Sequence, residues 1–225
     1  GDIQFDKTKK MIEDYFGDVP RGAEVVRTVA VEEPITEPIT AKAYDSNIQI
    51  PAVVAAYRMP SIKTRDSRVL DMISAYLSDG NSSKLYRKMV DEEKMALQVG
   101  AFNMSQEDYG MYLIFGLPLG DTPLQSIVDG IDEEVVKIQK ELITEKDYQK
   151  LQNKFETNFV DSNSSVEGIA NSLAEYYAFF GDTNLINSEI EIYRSISREE
   201  IQKVAKKYLN PNQRLVLDYL PESSK

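Results

Sequence analysis

The sequence predicts an α+β fold: a mixed or antiparallel sheet with helices packed on one face, as a two-layer sandwich. Strand signals, which are runs of alternating or continuous apolar residues, are concentrated near the start of the main region and return at its end. Helical spacing of apolar residues dominates the stretch between them. The predicted strands are 39–44, 48–59, 95–104, 110–117 and 214–220.

Residues 1–38 are predicted to lie outside that sandwich. Residues 5–16 have the apolar spacing of a short amphipathic helix, with Asp6 near its positive end and Gly17 after it. The following stretch is acidic and contains Pro34 and Pro38, which deny a helix and remove hydrogen-bond donors. We therefore predict a tail helix of a preceding domain at 1–22, a linker at 23–38 and one domain at 39–225.

The first half of that domain is predicted to alternate strand pairs with two helices. Residues 66–78 carry apolar residues at helical spacing and end at Asp79-Gly80, and a second helix is predicted at 82–93. The two strands at 95–104 and 110–117 follow and are joined by a polar turn.

Four helices are predicted in the second half, three of them from their start signals. Thr122 is expected to cap a helix whose first residue is Pro123, and Thr144 to cap the next one. Ser197 begins a capping box at the start of the last helix. The aromatic-rich helix at 169–180 is interpreted as core rather than as a peptide-binding patch, since aromatic residues at helical spacing are more often buried.

Composition excludes several functions for this chain alone. It has no His and no Cys, so a zinc site and the Ser-His-Asp and Cys-His catalytic arrangements are excluded. Its net charge of −11 argues against nucleic-acid binding and against an anionic membrane surface. The lack of Cys fits a reducing compartment, and it fits a periplasmic protein without disulfides equally well.

Four segments resemble the pitrilysin-type zinc metallopeptidases, the family of insulysin and the mitochondrial processing peptidase. The resemblance is carried by the order and spacing of these segments over nearly the whole chain, because each motif is weak alone. They are 15–20 (YFGDVP), 57–60 (YRMP), 80–89 (GNSSKLYRKM) and 214–221 (RLVLDYLP). The resemblance is to the second, non-zinc-binding domain of the family, which has the same fold as its zinc-binding domain.

That resemblance implies a division of labour within a longer protein. The family's first domain holds zinc through an H-x-x-E-H motif and a downstream Glu, so zinc is expected in a preceding domain and no cofactor in this chain. The second domain builds the wall of a chamber closed by two family halves. The implied partners are a peptide or unfolded polypeptide, the chain's own N-terminal domain and a second family half.

The family's substrate-holding Arg and Tyr are absent from this chain. Their positions are occupied by Val90 and Leu97, which offer no hydrogen-bond donor, so no catalytic residue is predicted. Arg87 lies one helical turn before Val90, although a solvated Arg on an exposed helix is the simpler interpretation. The motif makes Ser82, Ser83 and Arg87 the candidates for substrate binding.

Two functions follow from the resemblance. The first is a fragment of a zinc endopeptidase that supplies scaffold and chamber wall while being inactive alone. The alternative is a non-catalytic structural or binding subunit of a heteromeric complex with the same fold. An H-x-x-E-H motif in the upstream sequence would distinguish the first from the second.

Overall fold

The computed structural model describes residues 1–26, 28–31 and 33–225, and these form two compact units, Gly1–Glu32 and Glu33–Lys225. The first unit contains helix α1 (Phe5–Phe16), which ends where the Gly17 amide donates to the Glu13 carbonyl at 2.8 Å. Between α1 and residue 39 the described residues form no helix or strand. Arg27 and Glu32, both in the predicted linker, lie outside the described residues.

The second unit is built on one five-stranded mixed sheet. Its strands lie in the spatial order β1-β5-β2-β4-β3, with β1 parallel to β5 and the other neighbours antiparallel. The strands are β1 (Ile39–Asp45), β2 (Ala52–Pro60), β3 (Ala96–Met104), β4 (Tyr109–Pro118) and β5 (Arg214–Pro221). The predicted fold class is confirmed, and each strand lies within a few residues of its expected position.

Helices cover one face of this sheet. Alternate residues of β2, namely Val53, Ala55, Tyr57 and Met59, are buried against them. Gly116 of β4 lets α3 approach closely, since a Cβ there would lie 2.4 Å from Ile127 Cγ2. The helices of this unit are α2 (Arg65–Ser78), α3 (Leu124–Lys140), α4 (Glu145–Ser162), α5 (Val166–Phe180), α6 (Glu189–Arg194) and α7 (Arg198–Tyr208).

The opposite face of the sheet is mostly apolar, with Arg58 and Gln98 among its polar members, and no described helix of this unit packs on it. We call this surface the open face. The strand register places on it Ile39, Val54, Ala56, Phe102, Met104, Met111, Leu113, Phe115, Leu215 and Leu217. Phe102 is 52% exposed, and its ring stacks on Phe115 with centroids 5.6 Å apart.

The predicted helix at 82–93 is a wide, π-type helix at Tyr86–Glu92. The Glu93 amide donates to the Lys88 carbonyl, five residues back, at 2.8 Å. The adjacent residues Met89 and Val90 of this helix both pack against the core.

Two predictions about helix α3 and helix α5 are wrong. Thr122 does not cap α3: its hydroxyl donates to the Leu119 carbonyl at 2.8 Å, and Pro123 occupies the cap position with extended backbone. In α5 none of the residues is buried, and Tyr177 is 71% exposed, so its aromatic residues are not core.

The predicted helix starts at Thr144 and Ser197 are confirmed, with one difference at Ser197. Thr144 and Ser197 each accept a hydrogen bond from the third amide of their helix, at 3.1 Å in both cases. The second half of the capping box at Ser197 is missing, because the Glu200 carboxylate binds Arg65 at 2.5 and 2.9 Å.

Candidate functional site

The motif that carried the family resemblance lies between α2 and β3, beside the N-terminus of α4. Ser82 accepts a hydrogen bond from Lys150 Nζ at 2.5 Å. Ser83 is buried, and its hydroxyl has no hydrogen-bond partner among the described residues. The Arg87 side chain is 59% exposed and pairs with Glu92 at 3.1 Å. Of the three candidates for substrate binding, the structure leaves Ser82 and Arg87 exposed and buries Ser83.

A cleft of about 290 Å³ opens beside this segment. Apolar parts of Tyr76, Ile138 and Ile143 line it, and burial raises the pKa of the Tyr76 hydroxyl. The cleft also has cationic and anionic residues, which are Lys84, Arg87, Lys88, Lys137, Glu92, Glu134 and Glu141.

The cations of this cleft are already neutralised. Each of the four has an acidic partner within salt-bridge distance, and for Lys137 that partner is Glu134 at 2.5 Å. The other pairs are Lys84 with Asp147, Arg87 with Glu92, and Lys88 with Glu93 and Glu133. The cleft therefore has no surplus positive charge to attract an anion.

The two residues predicted to occupy the family's substrate-clamp positions are apolar and lie in different surroundings. Val90 is half-buried and packs against the core, whereas Leu97 lies on strand β3 and is 46% exposed. Neither side chain has a donor that could stabilise a developing oxyanion.

The residues present do not fit zinc. Zinc ligands in proteins are His, Cys and carboxylate, and the sequence has no His and no Cys. Among the described residues there is also no group of three or more acidic side chains placed to hold a metal ion. No step of a zinc-dependent reaction can therefore be assigned to this chain.

A buried polar cluster that the sequence did not reveal lies on the other side of α2. Arg68 donates through Nε and Nη2 to the Glu189 carboxylate at 2.8 and 2.9 Å, and both side chains are nearly buried. Asp71 accepts from Asn103 Nδ2 at 2.7 Å and from the Tyr193 hydroxyl at 2.9 Å. The sequence carried no signal for this cluster, because its bonded partners are far apart in the chain.

The cluster also perturbs protonation. Burial raises the pKa of Asp71 to about 6, against the opposing effect of its hydrogen bonds from Asn103 and Tyr193. A small cavity of about 180 Å³ adjoins the cluster, and its lining includes Glu175 and Tyr176 of α5.

A five-stranded mixed sheet with helices on one face defines the class of this domain as an α+β sandwich. The family profile described as the peptidase M16 inactive domain matches residues 1–155. The chain belongs to this family, which confirms the resemblance found in the sequence.

Similar proteins support the same fold. The zinc protease PqqE of Helicobacter pylori is 24% identical over 178 residues, which are 78% of this chain and 40% of that protein. The crystal structure of a protease from Helicobacter pylori has a TM-score of 0.86 at 21% identity, covering 97% of this chain and 53% of that one. The peptidase M16 inactive domain from Pseudomonas fluorescens has a TM-score of 0.77 at 14% identity, covering 98% and 52%.

The chain thus spans about half or less of the length of these relatives. No helix within the described residues is both long and apolar enough to cross a membrane.

Proposed function

We propose that this chain forms a non-catalytic wall of the peptide-binding chamber of a zinc endopeptidase. The observation that supports the proposal is the open face of the sheet. A sheet face that looks toward water normally carries polar residues, and a contiguous apolar surface of this kind is typical of a binding site. Here Phe102, Met104 and Met111 are each about half exposed.

The chemistry of the open face suits an unfolded polypeptide. Stacked aromatic rings at Phe102 and Phe115 and flexible side chains at Met104 and Met111 can adapt to varied apolar residues. The absence of His and Cys is compatible with this role, since a wall needs contact area and no reacting group.

Binding of a fluorescein-labelled, apolar 20-residue peptide to the chain tests this proposal. Changing Phe102 to Ser should weaken binding by about tenfold or more, because burying an aromatic side chain contributes about 1.5–3 kcal/mol. Fluorescence anisotropy gives the dissociation constant, and circular dichroism verifies that the variant is folded.

Two matched variants locate the site. Tyr177→Ser removes an exposed aromatic ring from α5, and Arg87→Ala removes the accessible cation of the cleft; both should leave peptide binding nearly unchanged. A loss with Arg87→Ala and none with Phe102→Ser would move the binding site to the predicted residues Ser82, Ser83 and Arg87 and refute the open-face proposal.

The activity of the whole protein is part of the same proposal. Because relatives about twice as long include a zinc protease, we infer that a preceding zinc-binding domain supplies the reaction. An H-x-x-E-H motif in the upstream sequence, with zinc-dependent cleavage by the longer protein, is the expected result. An upstream domain without that motif would instead favour the structural or binding subunit.

A further inference from the structure

Residues 166–195 form an arm that buries no apolar side chain in the hydrophobic core, although Tyr193 packs against the edge of that core. We call them the α5–α6 arm: they comprise α5, a 3₁₀ turn at Thr183–Asn187, α6 and Ser195. None of the residues of α5 is buried. Gly181, with a φ of +71°, makes the sharp turn that follows α5, a conformation that disfavours other residues.

Contacts with α2 and with α4 attach this arm to the rest of the domain. Arg68 donates two hydrogen bonds to Glu189, and its guanidinium lies 5.4 Å from the centre of the Phe180 ring. One turn further along α2, Asp71 accepts from the hydroxyl of Tyr193. The Tyr193 ring also stacks on Phe155 of α4, with centroids 4.5 Å apart.

The charges in this contact do not balance. Arg68 is the one cation in the buried cluster of α2 and α6, and it directs two nitrogens to Glu189. Asp71 is left with neutral donors, namely Asn103 and Tyr193. The charged or titratable groups that act on Asp71 are Arg68 of α2, Tyr112 of β4, and Glu189 and Tyr193 of α6, while Glu175 and Tyr176 of α5 line the adjoining cavity.

We propose that the α5–α6 arm is a proton-dependent latch, which stays docked on α2 when Asp71 is protonated and is released more readily when Asp71 is ionised. The buried cluster with two carboxylates and one guanidinium carries this inference. One added proton removes the excess negative charge without breaking the bond between Arg68 and Glu189. The latch goes beyond the proposed peptide-binding role and does not depend on it.

The direction of the pH effect follows from where Asp71 is hydrated. Burial raises the pKa of Asp71 to about 6 in the docked arm, and release into water returns it to its ordinary value near 4. Docking therefore takes up a proton, and the docked state gains stability as the pH falls from about 7 to about 4. A pKa difference of two units changes the equilibrium constant for opening of the arm by about a hundredfold over the full pH range. Between pH 5 and pH 7.5 the expected change is about tenfold.

Hydrogen exchange of the 225-residue chain tests the latch. Exchange of the amides in 166–195, corrected for the intrinsic effect of pH, should show about tenfold more opening at pH 7.5 than at pH 5. Asp71→Asn should remove this pH dependence, since the amide keeps an acceptor for Asn103, offers a donor to Tyr193 and cannot ionise in this range.

The matched control is Asp66→Asn, also on α2. Asp66 likewise accepts from a tyrosine hydroxyl, that of Tyr208 at 2.8 Å, but on the side of α7. That variant should keep the tenfold effect in 166–195. Unchanged exchange between the two pH values in the wild type, or the same tenfold effect in Asp71→Asn, would overturn the proposal.

A measurement on the wild type tests the latch even if the Asp71→Asn variant does not fold. The carboxyl carbon of Asp71, followed by NMR, should titrate with a midpoint near pH 6. A midpoint at or below about pH 4 would show that the docked arm takes up no proton, and the latch would be refuted.

Discussion

Helix α2 is held by two neighbouring helices in opposite ways. On one side α7 packs with Ile201, Val204 and Ala205, all of them buried. On the other side the buried residue of α6 is a carboxylate, Glu189. Apolar burial does not depend on pH, whereas a buried carboxylate is costly to ionise. From this difference we expect α7 to stay packed on α2 at every pH at which the domain is folded. We expect α6 to be able to separate from α2 while the rest of the domain stays folded.

The two aspartates of α2 show the same contrast in protonation. Burial works to raise the pKa of Asp66, but Lys207 at 2.7 Å and the hydroxyl of Tyr208 outweigh it and lower the pKa overall. Asp71 has a tyrosine hydroxyl and an amide but no Lys, and its pKa is raised. A cation within hydrogen-bond distance decides which way a half-buried carboxylate shifts.

The largest effect is expected on the α7 side. Ile201→Ala should lower the free energy of unfolding by about 3 kcal/mol, because it leaves a cavity in a core that cannot come apart locally. Urea unfolding followed by circular dichroism measures this loss. Lys203→Ala, at an exposed position of the same helix, should change the stability by less than about 0.5 kcal/mol. Equal losses of unfolding free energy in Ile201→Ala and Lys203→Ala would contradict the assignment of the α7 side to the core.

A smaller effect is expected from Arg68→Ala on the α6 side. A buried carboxylate without its partner costs about 3–5 kcal/mol, but release of the arm hydrates Glu189 and limits the loss to about 2 kcal/mol. The loss should appear as faster proteolysis within 166–195. The control is Lys207→Ala on the α7 side, whose 58% exposed side chain pairs with Asp66 and whose loss should be at most about 1 kcal/mol. If Arg68→Ala does not speed cleavage within 166–195, the proposal that the α6 side can separate from the core is contradicted.

The smallest effect is expected from Asp66→Asn. Because the pKa of Asp66 is lowered, its stabilisation is present above the ordinary pKa near 4 and is lost as the pH falls below it. The variant should be about 0.5–1 kcal/mol less stable than the wild type at pH 7 and equal to it near pH 2–3. Urea unfolding at both pH values measures this, and a difference that persists at the lower pH would refute the assignment.

The elements that the sequence predicted well have strong local signals. Thr144 and Ser197 mark helix starts that the structure keeps, and Gly17 and Gly181 mark helix ends. The helix of Glu189–Arg194 was missed because it is short and lacks a clear apolar period. Thr122 was misread because its hydroxyl has a competing acceptor in the preceding turn.

The buried cluster could not be predicted from the residues alone. Arg68 and Asp71 resemble solvated residues of an amphipathic helix, and their partners Asn103 and Glu189 are distant in the sequence. The assignment of Val90 and Leu97 to the clamp positions rests on the spacing of a motif, and it stays a prediction. The prediction that Ser82, Ser83 and Arg87 bind substrate stays a prediction.

Strand β5 lies between β1 and β2, so the last strand of the chain separates the first two. Ile39 pairs with Leu215, and Val54 pairs with Leu217, while β1 and β2 do not pair with each other. The sheet therefore cannot be completed during synthesis until residues 214–221 have left the ribosome. Contacts of such long sequence separation slow folding, and until β5 arrives the facing edges of β1 and β2 are exposed to other chains.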